Sequence, residues 1–103
     1  MLCHLFHQPR IQREDIHFEI VAVYEESSHY DRKLLRCQDC GALFLFEFYE
    51  RVDWNEGNDE MYCTYVQVED AAAAEAMNRE RNIRCYRPVI FWEPDGRIYA
   101  LTD

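Results

Sequence analysis

From Ile16 to Glu25 the chain alternates with a period of two. Ile16, Phe18, Ile20, Ala22 and Tyr24 fall on one side and His17, Glu19, Val21, Val23 and Glu25 on the other, the pattern of a strand with one buried face. A polar turn at Glu26, Ser27, Ser28 and His29 follows, and Lys33 to Cys37 reads as a second strand running back. Ala42 to Trp54 is the longest alternating stretch. It places Phe44, Phe46, Phe48, Val52 and Trp54 on one face and Leu43, Leu45 and Tyr49 on the other. Apolar residues on both faces predict a central strand covered from two sides. Asn55 to Asp59 is a cluster of turn residues, and Met61 to Val68 alternates again.

After the strands the period changes. Glu69 or Asp70 can cap a helix opened by Ala71, because a carboxylate there accepts from the first free backbone N–H groups. The alanines at 71–74 and 76 favour helix, and Arg79 and Arg81 suit its negative end. This predicts a helix over 70–81, with Asn82 as its stop. Pro88 to Trp92 and Arg97 to Leu101 then form a hairpin around Glu93, Pro94, Asp95 and Gly96, where Pro presets φ and Gly accepts the left-handed position. The fold class expected is α+β: an antiparallel meander of about five to six strands, with one helix packed on it and residues 1–10 as an extended N-terminal arm.

Composition changes this picture little. A chain of 103 residues, 49 % hydrophobic, with three Gly and three Pro, predicts one domain with a single core. No apolar run reaches the length of a membrane span, and the first residues lack a signal peptide's basic and apolar regions, so a cytoplasmic location is expected. Five cysteines, an odd count, fit a reducing compartment better than a disulfide framework.

The candidate chemistry lies between the second and third strands, at Arg36-Cys37-Gln38-Asp39-Cys40-Gly41. A Cys-x-x-Cys-Gly turn lets two thiolates converge on one tetrahedral ion, with Gly taking the positive φ of the tight turn. A redox Cys-x-x-Cys opens a helix, whereas here Ala42 to Phe46 reads as strand. Over 32–48 the segment resembles one knuckle of a zinc ribbon, and that resemblance implies a structural zinc at the hairpin tip. A second Cys-x-x-Cys pair is missing. In an antiparallel meander the N-terminal arm shares the knuckle's end of the sheet, while His29 and Cys63 lie on the order of 20 Å away. The expected ligands are therefore Cys3, His7, Cys37 and Cys40, with His4 as the substitute for His7. The pattern does not place Cys85.

Charge directs the reading of function. A net charge of -9, with ten Arg and one Lys, argues against a phosphate-tracking surface and against direct nucleic-acid binding. The end opposite the knuckle gathers Glu25, Glu26 and Asp31 with Asp53, Glu56, Asp59 and Glu60. Tyr30 and Trp54 stand beside them, and Arg32 and Arg51 are the nearby counterions. Aromatic residues among carboxylates suit a contact with a basic protein. The run Asp53-x-Asn55-x-Gly57-x-Asp59 resembles a calcium loop, but Asn58 and Thr64 stand where that loop needs Gly and Glu.

Phosphate loops, nucleophile elbows and His-Glu-x-x-His helices are missing from the sequence. The expected function is a non-enzymatic, zinc-stabilised module that binds a basic partner, comparable in size and charge to immunity proteins and antitoxins. The alternatives are a nucleic-acid mimic and a small metal-dependent hydrolase. Exposed sheet edges make either a monomer or an edge-strand homodimer the expected assembly.

Overall fold

The computed structural model describes residues 2–57 and 59–102. Six strands form one antiparallel sheet in chain order: β1 (Phe18–Glu26), β2 (Tyr30–Cys37), β3 (Leu43–Arg51), β4 (Glu60–Val68), β5 (Val89–Trp92) and β6 (Ile98–Leu101). One helix, α1 (Ala71–Met77), and two short 3-10 turns, His4–His7 and Arg13–Asp15, complete the described elements. This corrects the expected architecture. The molecule is mostly a six-stranded antiparallel sheet with one short helix, an α+β small fold, and no helix runs over 70–81.

The helix begins as its cap requires, with the Asp70 carboxylate accepting from Ala73 N–H at 2.8 Å. It stops early because a buried cation takes the carbonyls that follow. Arg32, 2 % exposed on β2, donates to Glu47 Oε2 from Nε at 2.9 Å and from Nη2 at 2.7 Å. It also reaches the carbonyls of Asn78, Glu80 and Arg81 at 3.0–3.4 Å. Arg32 is therefore the buried anchor of the segment after α1 and does not serve the acidic surface as a counterion.

The middle strands are apolar on both faces, as a period of two with no polar side dictates. On one face Leu35, Phe44, Tyr65 and Ile90 pack beneath Cys3, Leu5 and Ile11 of the N-terminal segment. On the other Leu34, Leu45, Val66 and Val89 pack beneath Ala74 of α1 and Ile83 of the loop after it. The N-terminal arm is coiled, contrary to the extended form expected, since Phe6 N–H reaches Cys3 O at 3.0 Å and the turn buries Leu5 completely.

Strand β1 departs from its sequence alternation. The ladder to β2 slips between Ile20 and Ala22 and again between Val23 and Glu25. Each extra residue reverses the faces that follow, so Phe18 packs with the first cluster and Ala22 and Tyr24 with the second. Strand β3 ends at Arg51, and Trp54 stands in the turn beyond it, 87 % exposed and off the strand face expected for it.

Removing one member of a buried ion pair leaves the other charge unmatched, at a cost of about 3–5 kcal/mol. Arg32→Ala should therefore lower the urea-unfolding free energy by about that amount. Arg32→Lys should recover only part of it, since one ammonium cannot reproduce the planar fork. An Arg32→Ala protein as stable as wild type would refute the anchor.

Candidate metal centre

Strand β2 delivers Cys37 to the end of the sheet, and the chain turns there before β3. Gly41, at φ 81°, makes the turn, with Gly41 N–H donating to Cys37 O and Cys37 N–H to Ala42 O, both at 2.8 Å. The N-terminal segment crosses the same end. Its Cys3 N–H donates to Gln67 Oε1 on β4 at 2.9 Å, and the 3-10 turn then carries His4 over the hairpin tip.

Cys3, His4, Cys37 and Cys40 meet there, with one ligand atom from each lying within 4.8 Å of the others, and together they could hold a metal ion. The Cys3 and Cys40 sulfurs are 3.4 Å apart, and His4 Nδ1 lies 3.7 Å from Cys3 Sγ and 3.9 Å from Cys37 Sγ. A tetrahedral ion with metal–sulfur bonds of about 2.3 Å and metal–nitrogen bonds of about 2.0 Å needs sulfur–sulfur edges of about 3.8 Å and sulfur–nitrogen edges of about 3.6 Å. These three edges lie within a few tenths of an ångström of that figure, and the other three lie within 4.8 Å. Cys3 and Cys37 are buried and Cys40 is exposed, so the site has a closed inner side and an open outer one.

The thiols divide their protons unequally. Burial pushes Cys3 up to about 12, reinforced by Cys40 and Cys37 against a Leu5 N–H that favours its thiolate. Burial also opposes ionisation of Cys40. The His4 side chain, the backbone N–H groups of Ala42 and His4, and Cys3 nonetheless hold it down to about 6. One thiolate is thus formed near neutral pH, and a metal ion would displace the proton from Cys3.

Asp39 completes the surroundings. Its Oδ2 lies 3.8 Å from His4 Nε2, the ring nitrogen turned away from the sulfurs, and 3.0 Å from His17 Nδ1. At those distances Asp39 is hydrogen-bonded to His17 and stands near His4 without a direct hydrogen bond to it. Neither Asp39 nor His17 stands out as a site residue in the sequence. Asp39 lies between the two cysteines of the motif, and the β1–β2 register brings His17 beside it, with Gln38 N–H donating to His17 O at 2.8 Å.

His7, the expected first choice, lies outside this group and is exposed. The 3-10 turn explains the exchange, because three residues at about 2 Å each carry His7 about 6 Å beyond His4. Cys63 on β4 and the exposed Cys85 are also outside it.

The expected partner residues do gather at the opposite end. The turn after β1 is tied to the end of β3 through Glu50 N–H to His29 O at 2.9 Å and the hydrogen bond between His29 Nδ1 and Glu50 Oε1 at 2.7 Å. Glu25, Glu56 and Asp59 are exposed there with Trp54. Others are engaged internally: Glu26 pairs with Lys33 at 3.2 Å, and Asp31 accepts from Ser27 N–H at 3.2 Å. Glu60 accepts from Tyr62 at 2.9 Å, and Tyr30 donates to Glu47 at 3.1 Å and is half-buried. In the calcium-like run, Asp53 Oδ1 accepts from Asn55 and Glu56 N–H at 3.1 Å, and Asp59 Oδ1 from Asp53 N–H at 3.0 Å. These carboxylates shape the turn. Asn58 lies outside the described residues.

Comparison with known proteins found no matching family, no matching characterised protein and no matching solved structure.

The thiolate is the reactive form, so metal-free protein should be alkylated by iodoacetamide first at Cys40, with a half-maximal rate near its pKa of about 6. The rate should fall as pH drops below that value and level off above it. Peptide mapping that finds Cys85 modified before Cys40 at neutral pH would contradict this electrostatic picture.

Proposed function

We propose that this chain is a non-enzymatic protein-binding module in which a structural zinc ion fastens the N-terminal segment to the sheet while the acidic end docks on a basic partner. One observation carries the metal half. Three sulfurs and one imidazole nitrogen, from segments more than thirty residues apart in sequence, converge within 4.8 Å of one another. Soft thiolates with one imidazole favour zinc over harder cations. Four protein ligands fill a tetrahedral shell and leave no position for water or substrate, which makes the ion's role structural. The Cys37–Gly41 turn resembles a zinc-ribbon knuckle, with Cys3 and His4 in place of that family's second pair.

The partner half rests on Trp54. A tryptophan 87 % exposed among Asp53, Glu56 and Asp59 is an unsatisfied apolar surface in an acidic setting, the kind that becomes a hot spot against a basic surface. An immunity- or antitoxin-like inhibitor of a basic protein would use it in this way.

Elemental analysis of protein purified without added metal should give about one zinc per chain. Cys37→Ser/Cys40→Ser should lose both the metal and a large part of the stability. Metal-free wild-type protein whose melting curve ignores chelator would end the zinc reading.

Affinity capture on immobilised protein should retain a basic partner that Trp54→Ala releases. Occlusion through an aromatic contact should survive salt that would strip a phosphate mimic from its target. Retention unchanged by Trp54→Ala would remove this end from the interface.

A further inference from the structure

We infer that the sheet face beside the N-terminal cover carries a binding groove for a small organic acid with a flat apolar body, its anionic group held by Arg13. Leu5 and Ile11 pack on this face with Leu35, Cys37, Phe44 and Ile90. Beyond them Phe18, Ile20, Phe46, Tyr65 and Trp92 line an open groove of about 340 Å³, within the size range of small-molecule sites. Its floor is aromatic, with ring centroids 5.3 Å apart for Phe18 and Tyr65, 5.0 Å for Phe46 and Tyr65, and 6.3 Å for Tyr65 and Trp92. Ile20, 59 % exposed, forms the rim. Phe18, Phe46 and Trp92 are only partly buried there, while Tyr65 is 7 % exposed.

The charge at the groove is of the opposite sign to the molecule. Arg13 lies with its guanidinium 4.8 Å over the Trp92 ring, and it forms no ion pair among the described residues. Arg10, Arg51, Arg79, Arg81 and Arg87 likewise form no ion pair among the described residues, so what distinguishes Arg13 is its place on the wall of the apolar groove, against Trp92. Behind the Arg13–Trp92 stack a second concavity of about 660 Å³ brings up Arg10 and Arg97. Arg97 is held by Asp95 at 3.3 Å, and Glu14 also faces this space. Lys33 in the groove is already matched, by Glu26 at 3.2 Å and Asp31 at 3.9 Å. Of the two cations that line the groove, Arg13 is the one without a carboxylate among the described residues. The negative net charge acts weakly on a bound anion at physiological salt, where fields are screened within about 8 Å.

A flat apolar acid would lie against the partly exposed Phe18, Phe46 and Trp92 side chains and place its carboxylate or sulfonate on Arg13. The inference is independent of the metal reading and of the acidic end.

The probe for this site is 1-anilinonaphthalene-8-sulfonate, with the uncharged N-phenyl-1-naphthylamine as control. Both are titrated into a Trp54→Phe protein, so that Trp92 is the only indole. The sulfonate should bind saturably at one site with energy transfer from Trp92. Arg13→Gln should weaken it about tenfold or more, the loss expected for one charged hydrogen bond, and change the neutral amine by less than about twofold. Ile20→Glu should weaken both probes, whereas Tyr49→Glu on the opposite face should affect neither. Near-UV circular dichroism checks that each variant keeps its packing. Sulfonate binding unaffected by Arg13→Gln, equal loss of both probes in that variant, or binding without transfer from Trp92 would overturn the inference.

Discussion

A single sheet whose middle strands are apolar on both faces cannot stand alone in water, and everything outside the six strands answers to that constraint. Leu34 and Leu35, Phe44 and Leu45, and Tyr65 and Val66 point alternately to opposite sides and are all nearly inaccessible. Burying a side chain of this size contributes about 1.5–3 kcal/mol, so leaving either face open would forfeit most of the core. The covers come from residues 2–17 before β1 and from 69–88 between β4 and β5. Each holds only short helical turns, which gain their stability from packing on the sheet.

Each cover is held by a polar fastening at its edge. After α1 the fastening is Arg32, whose guanidinium joins Glu47 to three carbonyls of the covering loop. At the N-terminus it is the meeting of Cys3 and His4 with the hairpin thiols. The two differ in kind. The arginine is complete within the chain, whereas the thiol cluster holds two sulfurs 3.4 Å apart, one inclined to ionise and the other to keep its proton. A cluster in that condition is better matched to a dication than to itself.

Much of the sheet was legible because a period of two is hard to mistake over β3 and β4, and because Pro94 and Gly96 mark the last hairpin. What escaped had a tertiary cause. The end of α1 depends on Arg32, which lies 46 to 49 residues before the carbonyls it withdraws from the helix. The bulges in β1 are invisible to an alternation that still looks regular when each face is counted by twos. The candidate metal ligands were legible as residue types, since Cys37-x-x-Cys40 constrains its own geometry. The choice between His4 and His7 was set by the coiling of the arm around Leu5, which no local signal marks. Trp54 was misplaced because the apolar run continues past Arg51 while the ladder does not.

The ligand set also has an order in time. All four candidate ligands lie between residues 3 and 40, whereas the apolar cluster beside them needs Phe44, Tyr65 and Ile90 from later strands. A ribosome adding about 5–20 residues per second exposes the complete set of donors several seconds before it delivers Ile90. An ion captured in that interval would close the N-terminal hairpin and its cover into one piece. The nascent chain would then offer β3 a template already in register, with Cys3 and Cys37 out of reach of stray oxidation while the remaining strands are made.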